Sequence, residues 1–163
     1  MSAHPNPMLK VSLPIAKARL IVRHALGAGR AANMMPLTVV VLDAGGHPVA
    51  LEREDGSGIL RADIALGKAW GALGMGASSR TSRDRLADRP AFLNALAAAA
   101  GGRFIAVPGG VLVLDAAGDA IGAVGVSGDT SDRDEYCAIA GIHAADLRSS
   151  PAQPAPDWAQ SKL

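Results

Sequence analysis

Two stretches of this chain carry nearly the same punctuation. Val41-Leu42-Asp43-Ala44-Gly45-Gly46 is followed three residues on by Val49, and Val113-Leu114-Asp115-Ala116-Ala117-Gly118 by Ile121. In each, an Asp closes an apolar run and a Gly supplies the positive φ that a tight turn needs. Each stretch reads as a β-hairpin: Leu37–Leu42 returning as Pro48–Arg53, and Gly110–Leu114 returning as Ala120–Val126. Helical patterns separate the hairpins. The order is helix, hairpin, helix, short helix, hairpin, helix, which predicts an α/β (α+β) domain with helices packed on an antiparallel sheet.

The first helix starts near Ser12, a candidate cap, and Pro14 suits its first turn. Its apolar positions are Ile15, Ala18, Leu20, Ile21, Ala25 and Leu26. Residues 61–75 form a second helix in which Gly67 and Gly71 sit four apart on one face. Each glycine costs about 1 kcal/mol against Ala, so that face must lie close to a neighbour, the sheet or a partner subunit. Residues 78–90 read as charged and irregular, 91–100 as a short Ala-rich helix, and 104–107 as a candidate strand. The last helix runs from Asp132 to Leu147, with Asp132 and Glu135 at capping-box spacing. The domain layout is an N-terminal arm, 1–11, one domain, 12–148, and a Pro-rich tail, 149–163. Trp158 in that tail calls for burial on its own domain or on a neighbouring subunit.

The chain has 163 residues, 49% of them hydrophobic but only 3% aromatic, so the core is aliphatic. Net charge is +1, and no aromatic residues interleave with the Lys and Arg, so nucleic acid is not an expected partner. One cysteine, Cys137, excludes an internal disulfide and a Cys-rich zinc site. No apolar run approaches the ~20 residues of a membrane helix. A cytoplasmic location is the expectation.

Several residues could carry chemistry. Lys68, with Trp70 two residues on, could pair with a ligand carboxylate or act as a base or Schiff-base amine; a solvated lysine is the plain alternative. Gly125–Gly128 enters a helix and could offer backbone N–H groups to an anion. Asp129, Asp132, Asp134 and Glu135 crowd that turn and would repel phosphate. Arg53, Arg61, Arg80 and Arg83 are further anion partners. His4, His24, His47 and His143 lack the i, i+4 spacing of a zinc protease, and no metal site is expected. His24 and His143 lie on expected helices, and each reads as satisfied or solvent-facing. Met34 and Met35 are soft donors more often found in cores, and Cys137 reads as a small buried hydrophobe.

Two blocks, taken together, carry a resemblance. One runs from Val39 to Arg53, then Asp55-Gly56 and Ala62 to Ala69. The other holds Pro108 to Val111, Gly118, Ile121 to Gly128 and Asp134 to Gly141. Over roughly Ser12 to Leu147 the chain resembles the GlcG/HbpS-type haem-binding family, which also includes the PduO C-terminal domain. The resemblance implies a profilin-like three-layer sandwich, with a five-stranded antiparallel sheet between helices, assembled as a homo-oligomer. It implies haem as a candidate cofactor. Lys68, Gly110, Gly125, Ser127, Gly128, Asp134 and Glu135 match the family pattern residue by residue. Where members often carry Thr-Ala after Lys-Ala, this chain has Trp70-Gly71-Ala72.

Three functions follow as expectations. The first is binding of haem or a related tetrapyrrole in a Gly-lined pocket at or near a subunit interface, with Arg53, Gly110, Gly125, Ser127, Gly128 and His24 as ligand-binding residues. The second is an isomerase, lyase or hydrolase of a small organic acid in a catabolic pathway, with Lys68, Asp134 and Glu135 as catalytic groups. The third is a non-catalytic oligomeric accessory protein.

Overall fold

The computed structural model describes residues 6–163. His4 and the first five residues of the expected arm lie outside them. Eleven elements follow one another: α1 (Ile15–Ala31), β1 (Thr38–Asp43), β2 (Pro48–Arg53), α2 (Leu60–Met75), α3 (Ser79–Leu86), α4 (Pro90–Ala99), β3 (Gly110–Leu114), β4 (Ala120–Ser127), α5 (Ser131–Ala144), β5 (Arg148–Ser150) and a 3-10 turn at Trp158–Gln160. The five strands form one antiparallel sheet in the order β2-β1-β4-β3-β5.

Strand alternation sorts the core into two sides. Val39, Val41, Val111, Val113, Val124 and Val126 face α1 and α5. Val40, Leu42, Leu112 and Ala123 face α2. The sheet is therefore sandwiched, α1 and α5 on one face and α2 on the other, as the hairpin–helix alternation implied.

The sheet's own glycines set how closely α2 lies. A Cβ on Gly125 would overlap the Ala65 carbonyl oxygen, and one on Gly110 would overlap that of Lys68. Small positions on the sheet thus receive the helix backbone. Gly67 and Gly71 of α2 have a different neighbour from the one expected. They face Ile105 and Phe104, whose side chains would lie 2.9 Å from an added Cβ at each.

Local expectations fail where tertiary contacts win. Ser12 does not cap α1; its Oγ accepts from the Ala44 N–H and ties the arm to the first hairpin turn. Residues 79–86 are helical, capped by Ser78, whose Oγ accepts from the Thr81 N–H at 3.2 Å. Phe104–Val107 is not a strand, although Phe104 is buried. Helix α5 is capped by Thr130 rather than by an Asp132/Glu135 box. Beyond Leu147 the chain adds β5 to the sheet, so the expected boundary at 148/149 falls inside a strand.

Candidate functional site

Two clusters occupy the end of the sheet where β1 begins and β4 ends. The first is buried. Lys68 leaves α2, passes Gly109, and reaches the first turn of α5 on the opposite face of the sheet. Its Nζ donates to Asp134 Oδ2 at 2.9 Å and to the Val126 carbonyl at 3.0 Å. Asp134 Oδ1 accepts from the Asp129 N–H at 3.0 Å. Both side chains are almost wholly buried. Burial lowers the Lys68 pKa while Asp134 pulls it back up; burial raises that of Asp134 while Lys68 opposes it. Gly109, at φ +120°, is where the lysine passes: a Cβ there would lie 2.9 Å from Nζ.

The second cluster is a polar row on the α2 face. Register aligns Arg53 with Thr38 and Thr38 with Ser127 across β2, β1 and β4. Thr38 Oγ1 and Ser57 Oγ are 2.9 Å apart, and Arg53 donates to the Ser57 carbonyl. Arg61, in the first turn of α2, extends Nη1 to within 3.3 Å of Ser127 Oγ. Among the described residues neither Arg53 nor Arg61 has an acidic partner within salt-bridge distance. Exposed Leu51, Ile59 and Leu60 flank the two arginines in sequence. A cleft of about 430 Å³ opens beside Arg53, between Arg30, Pro36 and Glu54.

The residues singled out in the sequence divide accordingly. Arg53 and Ser127 flank Thr38 on one face of the sheet, and Arg61 reaches Ser127. Gly110 and Gly125 face α2, and Gly128 packs on Pro36 and Leu37, where a Cβ would collide with the Pro36 oxygen. These three glycines make room for protein rather than line an open cavity. Lys68, Asp134 and Glu135 line none of the five clefts of 180–430 Å³. His24 is exposed on α1, the far side of the sheet. His47 sits in the turn at the other end of the first hairpin, and His143 Nε2 is 2.9 Å from Ser149 Oγ. Met34 is buried against Cys137, whose thiol burial pushes up to about 12. Residues with no earlier signal are Thr38 and Ser57; their role comes from register, which a single sequence does not display.

Glu135 stands apart. Its side chain is fully buried, Arg80 Nε lies 3.2 Å from Oε2, and neither carboxylate oxygen accepts a well-aligned hydrogen bond. Burial pushes its pKa from 4.5 up to about 7, against the pull of Arg80. A carboxyl raised in the folded state favours folding at low pH. Its contribution is full below about pH 4.5 and is lost as pH rises to about 7. Thermal melts from pH 5 to pH 8 should therefore show Glu135→Gln with a flatter pH dependence than the parent. At pH 8 the variant should be the more stable, by up to roughly 3 kcal/mol.

The fold and this sheet-end cluster define a small three-layer α/β domain that presents unpaired cations beside apolar surface. A family model described as haem degrading protein HbpS-like matches residues 13–143, and the chain belongs to that family. No curated protein matches it in sequence at a significant level. Among solved structures, the PduOC:heme complex shares 24% identity over 84% of this chain and 97% of its own, with a TM-score of 0.75. Klebsiella pneumoniae protein ORFY shares 24% identity over 90% and 98%, also at 0.75. HbpS shares 24% identity over 88% and 96%, at 0.70. At these identities the three structures establish the shared fold.

Proposed function

We propose that this protein binds haem or a related tetrapyrrole at the rim formed by Arg53 and Arg61 over the buried Thr38–Ser127 row. The observation that carries this reading is the pair of arginines without acidic partners among the described residues, with exposed Leu51, Ile59 and Leu60 close to them in sequence. A tetrapyrrole needs just those two surfaces, cations for its propionates and aliphatic groups for its ring. Bound there, haem would supply its iron and conjugated ring, and the chain would supply the propionate anchors. Family membership and the haem of the PduOC:heme complex support the same ligand.

No described histidine of the same protomer faces the rim. We therefore put the site at or near a contact between subunits of a homo-oligomer, with the second copy covering the ring. It is a cytoplasmic protein on this reading, its one thiol buried and unpaired. No described helix is long and apolar enough to cross a membrane. The organic-acid enzyme reading is less well supported, because Lys68 and Asp134 are buried and satisfy one another.

A haem titration tests the proposal. The parent should shift the Soret band at micromolar haem, and Arg53→Ala and Arg61→Ala should each weaken binding roughly tenfold. No Soret shift with the parent would sink it, as would unchanged affinity in the double variant.

A further inference from the structure

The C-terminal residues run over α5 without joining any element of the domain. After Ser150 the only backbone–backbone hydrogen bonds among the described residues are internal to the tail, from Trp158 to Ala155, Gln160 to Asp157 and Ser161 to Trp158. Ser149 Oγ of β5 donates to the Pro151 carbonyl at 2.8 Å, and three side-chain anchors on α3 and α5 hold the rest down. Arg80 Nη2 donates to the Gln153 carbonyl at 2.8 Å. The Trp158 ring stacks on Tyr136 with centroids 3.7 Å apart and planes 5° from parallel. Arg133 Nη2 donates to the Ala159 carbonyl at 3.1 Å. Arg133 and Tyr136 belong to α5, and Arg80 belongs to α3. The anchors thus bracket Glu135, the buried carboxyl without a well-aligned partner.

This is how a domain holds a peptide it has bound: one aromatic side chain, Trp158, packs on the edge of the core, and the backbone pairs with nothing in the domain among the described residues. Pro151, Pro154 and Pro156 leave the segment short of N–H donors, so side chains of the groove must do the holding, with an aromatic platform and arginines to carbonyls. The Ala155 N–H of the tail and Arg80 both lie against the Glu135 carboxylate and offset part of its burial, though neither makes a well-aligned hydrogen bond, and lifting the tail would hydrate the group. The seated state is thus secured by side chains and one stacked ring, with no backbone pairing to the domain among the described residues.

We propose that residues 151–160 are a tethered peptide ligand, seated in a groove between α3 and α5, that can lift off and be replaced by the same Pro-rich segment of a second copy. In the seated state the chain blocks its own groove, because a tethered segment competes at an effective concentration that can reach millimolar.

The test uses full-length chains and a fluorescein-labelled peptide of residues 151–163, followed by fluorescence anisotropy. Trp158→Ala, which removes the stacking anchor, should bind the peptide at least tenfold more tightly than the parent. A labelled peptide carrying the same replacement should bind at least tenfold more weakly than the native peptide. Trp158→Leu, which removes the stacking ring but keeps an apolar side chain and leaves the groove intact, serves as a second opened chain should Trp158→Ala fail to fold. A folded opened variant that does not bind would overturn the proposal. Equal binding by the parent would do so too, since the groove would then not be blocked.

Discussion

Replacing Lys68 with Met should cost about 3–5 kcal/mol in a urea titration, the usual effect of leaving one charge of a buried pair alone. For a chain of this size that is a fall in Tm of roughly 6–20 °C. The side chain holds three segments at once. It starts on α2, touches the end of β4 at the Val126 carbonyl, and finishes on Asp134 of α5. Without its ammonium, Asp134 keeps only the Asp129 N–H at Oδ1. Lys68→Met with Asp134→Asn should recover part of the loss, because Asn keeps that acceptor and carries no charge. A double variant no more stable than the single one would show that the cost lies in packing rather than in the orphaned carboxylate.

Gly125→Ala should be comparably damaging, at about 3 kcal/mol or more. Overpacking typically costs about 1–3 kcal/mol when side chains can move aside. Here the obstacle is backbone: the new methyl would overlap the Ala65 oxygen and stand 3.1 Å from the Ala69 Cβ. Helix α2 would have to lift from β4. Gly27 makes the comparison. It lies inside α1 with no heavy atom within 4 Å of an added methyl, so Gly27→Ala should stabilise by about 0.5–1 kcal/mol. Thermal melts of the two variants should move in opposite directions.

Much of the fold was legible because it rests on local chemistry. The hairpins announced themselves through Asp43 and Asp115 with their turn glycines, and β2 runs from Pro48 to Arg53 as read. Helix α2 was visible despite its glycines. What escaped depends on distant partners. Helix α3 is charged or polar almost throughout, and only Ser79, Ser82 and Leu86 turn inward. Strand β5 is three residues long and exists because β3 offers an edge. The caps went astray for the same reason: Ser12 had a better partner in the Ala44 N–H.

The site was legible in parts rather than as a whole. Arg53, Ser127 and Lys68 were singled out by residue type. That Arg53 and Ser127 flank one threonine follows from pairing β1 with β4, residues about 90 apart in sequence, which no local pattern encodes. Lys68 and Asp134 were both noticed, yet their union spans 66 residues of sequence and crosses the sheet.

The strand order β2-β1-β4-β3-β5 can also be regarded as tiling. The second hairpin lies beside the first as a repeated tile. After the second tile the series is stopped. Strand β5 covers only Leu112 to Leu114, Pro151 brings no N–H, and Ser79 Oγ takes the Gly110 N–H at 2.8 Å where a further strand would have bonded. At the opposite border, β2 pairs on one side alone among the described residues, and only Pro48, at its start, withholds an N–H. The lattice is therefore sealed at one border and unfinished at the other.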